Sequence, residues 1–160
     1  MKRNSRYFLA VHALLHLAEH AETAMTSEEL AGCAGTNPVV VRRTFAGLRE
    51  AGIVASRKGR GGGWQLARPP SEVTLEQVQR ALGERAVAVE AGDGRPGCLV
   101  EGAVRNALDD AMAEAARVLD ARLAQVTLAD LAADVRRATG KPFAMSPGGH
   151  EHAAIEPTAG

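Results

Sequence analysis

Cysteine is nearly absent: the 160 residues hold two, Cys33 and Cys98, far apart in the chain. No apolar run is long enough to cross a membrane, and the first residues lack the pattern of a signal peptide. Such a chain is expected in the cytoplasm with both thiols reduced. Catalytic constellations are missing as well. There is no Ser/His/Asp set in recognisable context, no phosphate loop, and no metal-ligand spacing beyond weak histidine pairs, which argues against an enzyme. Net charge is absent too, at +0 from 19 Lys/Arg and 19 Asp/Glu, but the balance hides an asymmetry. Residues 1–70 carry ten cations and five anions, hence +5; residues 71–160 carry nine and fourteen, hence −5. A basic first part joined to an acidic module is the distribution of a DNA-binding domain with a separate second unit. The length allows one domain plus an extension.

What is present centres on residues 26–68. Thr26 followed by Glu29 is a capping box, which satisfies the free N–H groups at a helix start. Leu30 and Ala31 supply apolar contact, and Ala34, Gly35 and Thr36 make a turn. Asn37 is a good N-cap and Pro38 suits the first helical position. Val41, Phe45 and Leu48 follow at helical spacing, and Gly52 stands where a left-handed residue ends a helix. The remaining face carries Val39, Arg42, Arg43 and Ala46. This pattern predicts a helix-turn-helix whose second helix buries one side and offers small and basic groups on the other.

Residues 53–56 and 64–67 read as two strands joined by Arg57, Lys58, Gly59, Arg60, Gly61, Gly62 and Gly63. Glycines let the backbone bend and approach a surface closely, and the three cations suit a phosphate backbone. The fold class is therefore mainly α with a small β-hairpin: a winged helix-turn-helix domain.

Upstream, residues 4–20 predict a first helix capped by Asn4 or Ser5, with Phe8, Val11, Leu14, Leu15 and Ala18 as its buried stripe. Arg6 and Tyr7 fall in its first turn, where free N–H groups favour a phosphate. His12 and His16 lie one turn apart, but a metal pair there lacks its third and fourth ligands; ordinary part-buried or surface histidines are the simpler reading. Downstream, Thr74 to Gln77 is a second capping box, with Leu75, Val78 and Leu82 behind it. Residues 85–100 show no periodicity, and Cys98 follows a Gly/Pro loop.

Residues 101–126 then carry the longest helical pattern, through Val104, Leu108, Ala111, Met112, Ala115, Leu119, Leu123 and Val126. At about 35–40 Å it exceeds what a winged helix needs for its own core, so its natural partner is a second copy of itself; the alternative is a helix folded back on its own domain. Thr127 opens a shorter helix to about Thr139, stopped by Gly140, and the remainder reads as a disordered tail. The expected organisation is a DNA-binding domain over 1–84, a sensory or linker loop over 85–100, dimerisation helices over 101–139 and a tail over 140–160. His150 and His152 in that tail are accidental spacing rather than a metal site.

The combination of Ser5-Arg6-Tyr7, Ala10, His12, Thr26-Ser27, Glu29-Leu30-Ala31, the run from Asn37 to Arg43, Leu48-Arg49, Ala51 to Val54, Ser56, Gly59, Gly62-Gly63, Leu66 to Arg68 and Thr74-Leu75 resembles the Rrf-two family of bacterial winged helix-turn-helix regulators, the type that includes IscR, NsrR and CymR. The resemblance covers roughly residues 1–130. It implies a homodimeric transcription factor, usually a repressor, with a long helix crossing between subunits. It also implies contact with double-stranded DNA through Asn37, Pro38, Val39, Arg42 and Arg43, through Lys58, Gly59, Arg60, Gly61 and Gly62, and through Ser5, Arg6 and Tyr7. A two-fold dimer joined through residues 101–126 would read an inverted repeat.

The departures bear on control. Iron–sulfur members of that family carry three close cysteines before the long helix, because a cluster needs several thiolates from one small region; here Cys98 stands alone, so no cofactor is expected. Cys33, in the helix-turn-helix, reads as a small core residue. Three schemes stay open: a redox thiol at Cys98, favoured by Arg95 and the following helix N-terminus; a small molecule or partner protein bound where the long helix meets the DNA-binding domain; and an inert cysteine in a constitutive repressor. A winged helix that serves as a protein-interaction adaptor is the reading from a different class, distinguished by its weaker dependence on salt.

Overall fold

The computed structural model describes residues 2–3, 5–83, 87–88 and 99–140. Strand β1 is Lys2–Arg3, followed by helices α1 (Ser5–Glu19), α2 (Ser27–Cys33) and α3 (Pro38–Glu50). Strands β2 (Val54–Arg57) and β3 (Gly63–Leu66) form the hairpin, a 3-10 turn spans Pro70–Glu72, and α4 is Leu75–Leu82. Strand β4 (Val87–Ala88), the long α5 (Leu99–Leu123) and α6 (Leu128–Thr139) complete the chain. The mainly helical architecture with one antiparallel hairpin is as expected.

The local chemistry fixes each boundary of the helix-turn-helix. The Thr26 hydroxyl accepts from the Glu29 N–H at 3.1 Å while the Glu29 carboxylate accepts from the Thr26 N–H at 2.7 Å, so the capping box closes α2 at its start. At its end the Thr36 N–H donates to the Ala31 carbonyl at 3.0 Å. Helix α3 ends the same way: the Gly52 N–H donates to Arg49 O at 3.0 Å and Ile53 N–H to Leu48 O at 2.9 Å. Gly52 takes φ +67°, a left-handed conformation that glycine adopts without a Cβ penalty. Ile53 and Leu48 are both buried there, which locks the exit from α3 toward the hairpin.

The core gathers Leu14 and Leu17 of α1, Leu30 of α2, Val41, Phe45 and Leu48 of α3, Ile53, Trp64, and Val78 of α4. Helix α1 is packed on more of its circumference than its expected stripe allowed. Tyr7, Ala10, Ala13, Leu14 and Leu17 are its buried apolar residues, whereas Phe8 is 48 % exposed and Val11 and Leu15 are only partly buried. Apolar residues run almost all round this helix, so the sequence left its phase open. His16 is buried and its Nε2 lies 3.2 Å from His12 Nε2, so the two rings meet. Among the described residues no group of three or more His, Cys, Asp or Glu side chains gathers as metal ligands would.

Two features extend the domain beyond residue 84. The backbones of residues 73–75 and 126–128 pair, with Leu75 N–H donating to Val126 O and Leu128 N–H to Val73 O, each at 2.9 Å. This sets the Thr74 and Thr127 caps opposite one another. Helix α6 then packs against α1: Leu128 is fully buried, Ala132 nearly so, and Arg136 pairs with Glu19 at 3.0 Å. Within the stretch expected as dimerisation helices, 101–139, α6 thus packs onto the winged-helix core of its own chain. Strand β1 also pairs with β4, Lys2 opposite Ala88 and Arg3 opposite Val87; strands of two residues leave no pattern in a sequence.

The apolar residues of α5 split between two sides. Leu123 packs against the core together with Val126 just beyond the helix, and Gln79 of α4 donates to Asp120 at 2.6 Å. Val100, Val104, Leu108 and Val118 are all more than half exposed. Their spacing puts them on one side of the helix together with Ala111 and Ala115.

Candidate nucleic-acid interface

The exposed face of α3 begins at its cap. Asn37 Oδ1 accepts from the N–H groups of Val39 at 3.0 Å and Val40 at 3.1 Å, with Pro38 at the first helical position. With Val41, Thr44, Phe45 and Leu48 all buried, the helix can turn in only one way. Val39, Arg42 and Arg43 are thereby exposed and Ala46 half-buried, the expected outward set. Arg42 is engaged sideways, donating to Glu28 Oε1 of α2 at 3.2 Å. Both partners are exposed, so the pair adds little stability, but it places one carboxylate on an otherwise basic surface. Glu28 was missed from sequence; it lies 14 residues from Arg42 and only the crossing of α2 over α3 joins them.

The hairpin stands beside this face. Its register pairs Val54 with Leu66, Ser56 with Trp64 and Arg57 with Gly63, so both strands lie one residue nearer the tip than the expected 53–56 and 64–67. The hairpin is pinned at its base. Trp64 exchanges backbone bonds with Met25 at 2.7 and 2.9 Å, its indole N–H donates to Ser27 Oγ at 3.0 Å, and its ring lies 5.2 Å from the Phe45 ring. Arg68 ties the exit strand down, its Nε donating to Gly52 O at 3.2 Å. From this base Arg57, Lys58, Gly59, Arg60 and Gly61 project exposed. The turn closes through Gly62 N–H to Gly59 O at 2.8 Å, and a Cβ on Gly62 would lie 2.6 Å from Arg57 O and 2.7 Å from Gly59 O. The tip is therefore a backbone-defined turn carrying cations.

The third expected contact set fares differently. Ser5 begins α1 and Arg6 is half-exposed in its first turn. Tyr7, expected at the phosphate surface, is 4 % exposed, and its hydroxyl donates to Leu75 O at 3.3 Å. Burial pushes its phenol up to about 12, because the charged form is the one that loses water. Tyr7 is a core residue that pins α1 to the start of α4, and it leaves the outward set. Cys33 is part-buried, and burial together with the Glu29 charge pushes its thiol up, which keeps it protonated. Cys98 lies outside the described residues, as do the loop before it and the tail with His150 and His152.

The arrangement is a capped helix presenting two arginines, flanked by a rigidly based basic hairpin. Comparison with known proteins places it. A family model described as Rrf2, iron-dependent transcriptional regulator, matches residues 3–134. YwnA of Bacillus subtilis (strain 168), which carries the name of an HTH-type transcriptional regulator, is 35 % identical over 130 residues, spanning 80 % of this chain and 95 % of that protein. Among solved structures, that of T. potens IscR is similar with a TM-score of 0.63 and 25 % identity over 87 % of this chain and 91 % of that one. CymR of B. subtilis, titled the global cysteine regulator, shares the fold with a TM-score of 0.64 at 22 % identity, over 84 % of this chain and 98 % of its own.

Proposed function

The chain belongs to the Rrf2 family of DNA-binding transcriptional regulators, which are not enzymes, and from that premise we propose that it is a homodimeric repressor reading an inverted-repeat operator, with Cys98 as its redox control. The observation that carries this reading is the shared exposure of Asn37, Val39, Arg42 and Arg43 beside the wing cations Arg57, Lys58 and Arg60. Each subunit would lay the start of α3 in a major groove, while the wing follows the phosphates or enters the adjacent minor groove, where a narrow A·T stretch attracts Arg60. Ser5 and Arg6 at the start of α1 supply a further phosphate contact. The exposed apolar side of α5 supports the dimer, since Val100, Val104, Leu108 and Val118 gain by burial against a second copy.

For control, the described residues do not fit a thiolate-bound iron–sulfur cluster. Cys33 lies in the helix-turn-helix, and the whole chain supplies one further cysteine, where a cluster needs several thiolates from one small region. That leaves Cys98 as the thiol available for a switch, with Arg95 close in sequence favouring its thiolate. The test is an anisotropy titration on DNA from upstream of the protein's own coding region, reduced and after mild oxidation, repeated with Cys98→Ser. Tight binding that oxidation abolishes only when Cys98 is present supports the switch; equal binding in both states removes it in favour of a small ligand or partner protein. Arg43→Ala should weaken binding by about 1–3 kcal/mol if Arg43 reads a base, and affinity should fall steeply with salt. Salt-insensitive binding would move the chain to the adaptor class.

A further inference from the structure

We infer that Val39 is a specificity determinant of this helix-turn-helix, reading the 5-methyl group of a thymine in each half-site; the inference rests on the DNA-binding reading above. The large apolar side chains of the helix-turn-helix and hairpin sink into the core, but Val39 is 48 % exposed. It is the second residue of α3, immediately after Pro38, in the turn of a recognition helix that meets base edges. Its backbone is fixed there, because its N–H is held by Asn37 Oδ1 at 3.0 Å. A valine within a helix is nearly confined to one χ1 rotamer. Its two methyls therefore form a small apolar patch of fixed position, with Arg42 and Arg43 three and four residues further along the same face.

That patch can neither donate nor accept a hydrogen bond, so it is blind to the nitrogen and oxygen pattern of a base pair. In the major groove the one apolar feature among the four bases is the thymine methyl. The flanking arginines provide the charge that seats the helix, and Val39 contributes the selective contact by burying its methyls against that group. A polar base edge in the same place would lose its water to a side chain that cannot replace it, so the contact both favours thymine and penalises the alternatives.

The experiment starts from the duplex that the full-length protein selects from a random library. Each symmetric pair of thymines in the selected site is replaced by deoxyuridine, which deletes the methyl and keeps the hydrogen-bonding edge. At one symmetric pair the wild type should lose roughly fourfold in affinity per half-site, or about fifteenfold for the whole site, the effect of one unburied methyl in each half. Val39→Ala should bind the thymine and deoxyuridine duplexes equally, and Val39→Thr, which keeps one methyl, should fall between. Position 39 is exposed and alanine favours helix, so the variants fold. The inference is overturned if no thymine methyl matters, or if Val39→Ala pays the same deoxyuridine penalty. A library from which nothing is enriched overturns the DNA-binding reading itself, and that outcome appears before any base is substituted.

Discussion

The winged-helix head and helix α5 both expose side chains that a lone chain has no use for, yet they do so in opposite ways. In the head the exposed groups of α3 and of the wing are held by pins. The Asn37 cap and the Phe45–Trp64 contact fix α3, and the Trp64 indole bonded to Ser27 fixes the wing. Among the described residues helix α5 is anchored near its end, through Leu123 and the Gln79–Asp120 bond, while Val100, Val104, Leu108 and Val118 stand exposed on its outward side. The head is preorganised for a rigid polyanion whose shape is set beforehand, whereas α5 offers a flat apolar surface that gains order and energy only when a partner covers it. On the proposed reading, specificity and assembly therefore belong to separate parts of one chain, and they should break separately.

The largest expected effect comes from the assembly side. Val104→Glu with Leu108→Glu puts two charges on the exposed side of α5, where glutamate keeps the helix but cannot be buried against a copy. Sedimentation should show monomer in place of dimer with the helical circular dichroism unchanged. Operator affinity should drop by about two to four orders of magnitude as the second half-site contact is lost. A variant that stays dimeric would move the interface elsewhere. The corresponding break in the head is Phe45→Ala, which removes the fully buried ring that supports Trp64. It should cost about 3–5 kcal/mol in urea unfolding, so that DNA binding is lost together with the fold rather than apart from it.

A smaller change tests the pins directly. Asn37→Ala removes the acceptor for two backbone N–H groups at the start of α3 and should lower stability by about 1 kcal/mol. Because the same turn carries Val39, operator binding should weaken by more than the stability change alone explains. Equal losses in the two measurements would show that the cap only stabilises the helix.

Most of the head was legible because its signals are local. The capping boxes at Thr26 and Thr74, the Asn37–Pro38 start and the Gly52 stop each involve residues within a turn of one another, and each is found where the pattern put it. The Thr127 box was equally clear, but where its helix packs was not. Leu128 reaches the core because a pairing of two hydrogen bonds with Val73 and Leu75 turns the chain back, a contact across more than 50 positions that leaves no periodic trace. The α5 pattern misled for a related reason. Apolar residues on two adjacent sides read as one stripe, and only the packed structure separates Leu123 from Val104 and Leu108. The Glu28–Arg42 pair was likewise out of reach of spacing.

Tyr7 is where the two kinds of surface were confused, and it offers the finest test. A tyrosine in the first turn of α1 reads as a phosphate contact, but here the ring fills the core and the hydroxyl reaches Leu75 O. Tyr7→Phe should therefore leave operator affinity unchanged while costing roughly 0.5–1 kcal/mol of stability at neutral pH, the loss of one long hydrogen bond. The pH dependence separates the two roles further. Below pH 10 the phenol is neutral in both folded and unfolded chains, so burial carries no ionisation cost. Between its ordinary value of 10.0 and the folded value of about 12, the unfolded chain releases the proton that the folded chain retains. The unfolded state then binds fewer protons, and stability falls as pH rises through that window. The phenylalanine variant lacks this group, so its unfolding midpoint should decline less steeply above pH 10 and approach that of the wild type. A variant that weakened DNA binding and kept the full alkaline slope would return Tyr7 to the surface.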